Sequence, residues 1–190
     1  MDVFSKQEQS GNRLGSGSIV GRDQNNYITN VFRSSNRTLD RLYQKLAQEN
    51  GAVGQHDFCD KLKHYLATDT NPDIRDLEQK LTDSNRSELI YFATDLKEKA
   101  FKAIIKSQTS QTAQEIYALI LDKIHTDFML KITPLIQSNE DRVIVDERTS
   151  LLIENISEIL GDNLLDLSEK DLLGLLYFLG GNCHIRWDKC

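Results

Sequence analysis

The chain has 190 residues, 39% hydrophobic and 27% charged, with 23 Lys+Arg against 29 Asp+Glu and a net charge of −6. That length and balance suit one globular domain with an appendage and exclude a chain disordered throughout. The acidic excess gives no sign of the positive face a general nucleic-acid binder needs, so direct nucleic-acid binding is not expected.

Two prolines, ten glycines and a Leu/Ile-rich apolar set argue against an all-β sandwich. The three cysteines, Cys59, Cys183 and Cys190, are too few and too odd a number for a disulfide framework. The N-terminus lacks a basic region followed by an apolar one, so no secretory signal is read. No stretch approaches the ~20 apolar residues that span a bilayer. A cytoplasmic location without membrane contact is the expectation.

Residues 1–36 form a polar tail and a Gly-rich arm. Within the arm a weak β-hairpin is expected: a strand near Ser18–Arg22, a turn at Gln24–Asn26 and a second strand at Tyr27–Phe32. A lone hairpin is marginal in water and must dock on something. From residue 37 to 190 the period turns helical. A first helix is expected at Arg37–Glu49, with Leu39, Leu42, Tyr43 and Leu46 on one stripe. A second follows at Gln55–Ala67, then a short one at Ile74–Leu81.

A long helix is expected at Asn85–Lys106. The next begins near Thr109–Thr112, where Thr112 and Glu115 fit a capping box. Its stripe, Ala113, Ile116, Tyr117, Ile120, Leu121, Ile124 and Phe128, is the clearest in the chain, and Pro134 kinks or ends it. Val143-Ile144-Val145 reads as strand-like or as the lead-in to a helix at Glu147–Leu160. The last helix starts at Ser168, with Asp171 completing a capping box, and runs to Leu179. It is apolar nearly all round, which marks it as the central core helix. Gly180-Gly181 are read as its stop. The expected fold is mainly α, a compact domain of six to seven helices behind the β-like arm.

No motif for chemistry stands out. Gly15, Gly17 and Gly21 mimic a phosphate loop, but no buried strand precedes them and no Gly-Lys-Ser/Thr follows. His56, Cys59, Cys183 and His184 are zinc-ligand types without a CxxC pair, so no metal site and no cofactor are expected. Cys183 and Cys59 have no evident base, and the acidic residues alternate with Lys and Arg on solvated faces. Catalysis is therefore not expected. Arg186 and Trp187 are interface-type residues, but Trp187 reads first as a plug under the last helix. Ile185 and Trp187 alternate with His184 and Arg186, so one pair is expected inward and the other outward.

Several segments resemble a family. Asn182-Cys183-His184-Ile185-Arg186-Trp187 after Leu176-Tyr177-Phe178-Leu179 resembles the ending of the C-terminal domains of bacterial ABC-three-component systems. Leu77-Glu78-Gln79-Lys80-Leu81 is similar to that family's Gly-Leu-Glu-x-Lys-Leu, with Asp76 in place of the glycine. Leu96-Lys97-Glu98, Ala113-Gln114-Glu115-Ile116-Tyr117 and Pro134-Leu135-Ile136 resemble further landmarks. Ile19-Val20-Gly21-Arg22-Asp23 is similar to a lead-in before such modules. The resemblance covers about 15–190.

It implies a module that tethers an effector to an SMC-like ABC ATPase and a small middle component, in anti-phage or anti-plasmid systems such as Lamassu. No effector domain precedes residue 15, so an adaptor subunit is expected, with self-association left open. The alternative is a sensor of a ligand or of nucleic-acid ends in the same complex. The arm carries four Lys/Arg against three Asp/Glu, +1, leaving −7 for the body. Candidate partner-binding residues are Gly17, Ile19, Val20, Arg22, Asp23 and Tyr27 in the arm, and His184, Arg186 and Trp187 at the end of the chain.

Overall fold

The computed structural model describes residues 27–49, 57–67 and 75–188, and for 27–36 the backbone alone. Among these residues the helical period is realised as α1 (Tyr27–Gln48), α2 (Asp60–Leu66), α3 (Leu77–Asp83), α4 (Ile90–Lys106), α5 (Gln111–Asp127), α6 (Thr133–Gln137), α7 (Arg142–Leu160) and α8 (Glu169–Gly181). Short 3-10 turns lie at Ser87–Leu89 and Ser107–Thr109, and no strand is present among the described residues. The fold is mainly α, as expected. α1 begins ten residues before the expected Arg37, so the backbone of Tyr27–Phe32 lies in a helix. The remainder of the expected hairpin, in residues 1–26, lies outside the described residues.

α8 is the core helix the apolar run announced. Leu172, Leu175, Leu176, Phe178 and Leu179 are all buried. It starts where expected: the Ser168 hydroxyl accepts from the Asp171 N–H, and the Asp171 carboxylate accepts from the Ser168 N–H, completing the capping box. α8 packs most extensively on α4. Gly174 makes that approach possible, since a Cβ there would sit 2.8 Å from the Leu96 carbonyl oxygen. α5 supplies the other wall, with Ile116, Ile120, Leu121 and Ile124 buried.

The structure decides three local readings. The α5 N-cap is Ser110, whose hydroxyl accepts from the Ala113 N–H at 3.0 Å. Thr112 instead lies buried in the first turn and donates to the Glu49 carboxylate at the end of α1. The triplet Val143-Ile144-Val145 is helical, the second of its two readings, because Asp141 caps α7 by accepting from the Val143 N–H at 2.8 Å. Pro134 does not end the α5 segment abruptly. A π-helical turn, Phe128–Ile132, precedes it, and α6 follows with the proline in its first turn. Proline cannot donate to the preceding turn, and a widened turn absorbs that defect. It keeps Phe128 and Ile132 inward while Met129 and Leu130 face out.

Gly180 and Gly181 are inside α8, not its stop. The chain turns at Cys183, whose φ is +66°. The His184 N–H bonds the Leu179 carbonyl at 3.0 Å, and the Cys183 N–H reaches the Gly180 carbonyl at 3.4 Å. That is a Schellman ending with cysteine in the left-handed position that glycine usually holds.

Candidate interaction site

The Schellman turn sends the C-terminal segment back under α8. Ile185 and Trp187 enter the core, and Trp187 is 5% exposed. Its ring lies edge-on to Phe128, with centroids 5.8 Å apart, and 5.9 Å from the ring of Tyr177. The same ring explains Gly180, where a Cβ would come within 2.8 Å of the indole. Beside it Lys80 is fully buried and donates to the Gly180 carbonyl at 2.7 Å. Its ammonium thus meets the negative end of α8, where a cation is favoured. Arg75 clamps the segment from outside, donating to Asp83 and, at 2.8 Å, to Asp188.

Next to Trp187 opens a groove of about 500 Å³, between α7, α8 and the 3-10 turn Ser87–Leu89. Its floor is apolar, with Leu81, Leu176 and Trp187, and its wall is held by ion pairs. Arg86, 4% exposed, donates through Nε and Nη2 to Asp146 at 3.0 and 2.7 Å, and through Nη1 to the Ser84 carbonyl at 2.9 Å. Arg142 donates to the other Asp146 oxygen at 3.1 Å and also to Glu88 and the Asn85 carbonyl. The Arg142 bond holds the Glu88 carboxyl below its ordinary range. Tyr177 lines the groove, and burial, reinforced by the Asp146 carboxylate, pushes its phenol up to about 12. It is a proton donor at any physiological pH.

His184 is also buried, contrary to the expected outward pairing with Arg186. It packs in a ring cluster with His64, Tyr65 and His125, at centroid distances of 5.2, 5.2 and 6.0 Å. Tyr65 anchors the cluster by donating to Asp122 at 2.6 Å. Among the described residues no three His, Cys, Asp or Glu side chains are placed to hold a metal ion. Cys59 occupies the N-cap position of α2 without a side-chain capping bond, and its N–H donates to Gln114 Oε1 at 2.8 Å.

Of the candidate partner-binding residues, Gly17, Ile19, Val20, Arg22 and Asp23 lie outside the described residues, and Tyr27 is described by its backbone alone. Trp187 borders the groove from within the core, His184 lies in the ring cluster, and Arg186 is half-buried. Sequence reasoning passed over Arg86, Asp146 and Tyr177. A tyrosine in an otherwise apolar core helix was the available signal, because a buried hydroxyl needs a partner or a cavity.

No helix among the described residues is long and apolar enough to cross a membrane. Neither curated proteins nor solved structures gave a match. The family model for C-terminal domain 9 of the ABC-three component systems matches residues 76–187. That is a narrower span than 15–190 but more than half of the chain. It runs from the N-cap of α3 to the tryptophan that closes the core. The chain therefore belongs to the family of C-terminal domain 9 of the ABC-three component systems.

Proposed function

We propose that this chain is a non-enzymatic assembly subunit of an ABC-three component system, docking through protein surfaces onto an SMC-like ABC ATPase, the small middle component or an effector. The match of residues 76–187 to a component domain of such systems carries the reading. Two features support it. The polar groups around Trp187 are engaged in structural ion pairs rather than poised around a reacting centre. The groove presents Trp, Tyr and Arg, the residue types that concentrate binding energy at protein interfaces. The test is co-expression of the full chain with the ATPase and middle component of the same system, followed by size-exclusion chromatography. Co-elution in a fixed ratio is expected. Separate elution of all components, or a hydrolytic activity abolished at Cys183 or His184, would defeat the proposal.

A further inference from the structure

α7 buries one face against α1, α5 and α8, and its outer face carries apolar side chains as well as charges. Val143, Ile144 and Leu151 stand there 67%, 42% and 44% exposed. Ile144 and Leu151 are seven positions apart, as are Glu147 and Glu154, and Glu158 follows Leu151 by seven. From Ile144 to Glu158 these residues make one stripe roughly 20 Å long. A recurrence at seven on one face is the repeat of a helix that lies along another helix.

The charges of the stripe are unbalanced. α7 carries six charged residues, Arg142, Asp146, Glu147, Arg148, Glu154 and Glu158. Arg142 and Asp146 bond each other and also hold Glu88 and Arg86. The other four are exposed and have no ion pair with a described residue; three glutamates against one arginine leave −2. Glu154 accepts only from the Ser150 hydroxyl, at 3.2 Å. α4 shows the contrast, since its exposed Asp95 and Glu98 each have a lysine one turn on, at 2.7 and 3.9 Å. On α7 the residue one turn after Glu154 is Glu158, a like-charge pair that weakens a helix. Glu158 also lies in the last turn, at the negative end of the helix dipole. These carboxylates destabilise the helix that bears them, and cations from outside would offset that.

We infer that the outer face of α7 receives a basic amphipathic helix of a partner protein. Its apolar side chains would lie on Ile144 and Leu151, and its Lys or Arg against Glu147, Glu154 and Glu158. The inference rests on the assembly role proposed above and names a surface for it. A second copy of α7 would bring the same excess of carboxylates, and nucleic acid or an anionic membrane would be repelled.

The test uses the full-length chain and two fluorescently labelled helical peptides. Both carry leucine at the a and d positions of successive heptads; one has lysine at the flanking e and g positions, the other glutamate. Fluorescence anisotropy is expected to show saturable binding of the lysine peptide, about ten-fold tighter than the glutamate peptide. Glu154→Lys with Glu158→Lys is expected to weaken the lysine peptide about ten-fold. The same double variant should keep or raise the melting temperature, because the like-charge pair is gone. Leu151→Ser should also weaken the peptide. Asp95→Lys with Glu98→Lys on α4 makes an equal change in net charge and should leave binding unchanged. Equal binding of both peptides, no saturable binding, or an equal loss with the α4 variant would overturn the inference. So would a dimer of the chain alone that Leu151→Ser dissolves. If the chain co-elutes with its partner subunits and the α7 double variant does so equally, the face assignment falls and the assembly role stands.

Discussion

Trp187 and Gly180 make a pair whose coupling can be measured with its sign stated in advance. Trp187 is 5% exposed and packs on Phe128 and Tyr177. Truncating such an aromatic to alanine costs about 3–5 kcal/mol. At roughly 2–4 °C per kcal/mol for a chain of this size, the melting temperature should fall by about 6–20 °C. Gly180→Ala alone places a Cβ 2.8 and 2.9 Å from two indole carbons and 3.3 Å from a Leu77 methyl. The ring is wedged and cannot retreat, so overpacking should cost about 1–3 kcal/mol. With Trp187→Ala already present, only the flexible Leu77 contact remains. Alanine is then the better helix former by about 0.8–1.0 kcal/mol, and Gly180→Ala should become neutral or stabilising. The assay is urea unfolding followed by circular dichroism, since the double variant has no tryptophan, with a coupling of about 2 kcal/mol expected. An equal cost of Gly180→Ala in both backgrounds would refute the packing argument.

Two further outcomes follow from the ion pairs. Burial alone would raise the carboxyls of Asp127 and Glu49. Lys123 and Lys131 around Asp127, and Ser110 and Thr112 on Glu49, outweigh it, and both groups sit below their ordinary values. Their stabilisation is thus present above the unfolded value of about 4 and lost as pH falls through the native values. Asp127→Asn should lower the urea midpoint near neutrality and flatten its decline below about pH 4; a wild-type decline unchanged by the substitution would argue otherwise. Arg86→Met keeps the buried stem but deletes three hydrogen bonds, while Asp146 retains Arg142. A loss of about 2 kcal/mol is expected, and an unmoved urea midpoint would show that Arg142 alone holds the wall.

What was legible in the sequence is what lies close along it. The Ser168–Asp171 box, the α5 stripe and the all-apolar α8 are short-range patterns, and each forms as read. The errors are places where a distant residue decides. Thr112 looks like a cap until Glu49 claims its hydroxyl. Gly180-Gly181 look like a helix stop, but Gly180 is required by a ring seven positions later. His184 alternates with Ile185 on paper, yet the left-handed Cys183 redirects it onto His64 and Tyr65. The groove draws on α7, α8 and the turn before α4, and no local pattern joins Arg86 to Tyr177 across 91 positions.

The pairing of Arg75 with Asp188 has an architectural consequence. Residues 75 and 188 flank the matched span, and their side chains touch at 2.8 Å. Just inside, the Cys183 thiol lies 3.7 Å from the Arg75 carbonyl. The entrance and exit of this span therefore share one pole, while α1 and α2, which precede it in the chain, pack on α5 and complete the core. Polypeptide continuing from either end leaves from the same spot. Tension applied between the two ends would load the Arg75–Asp188 clasp first and then the buried Lys80 behind it, before it reached the apolar interior.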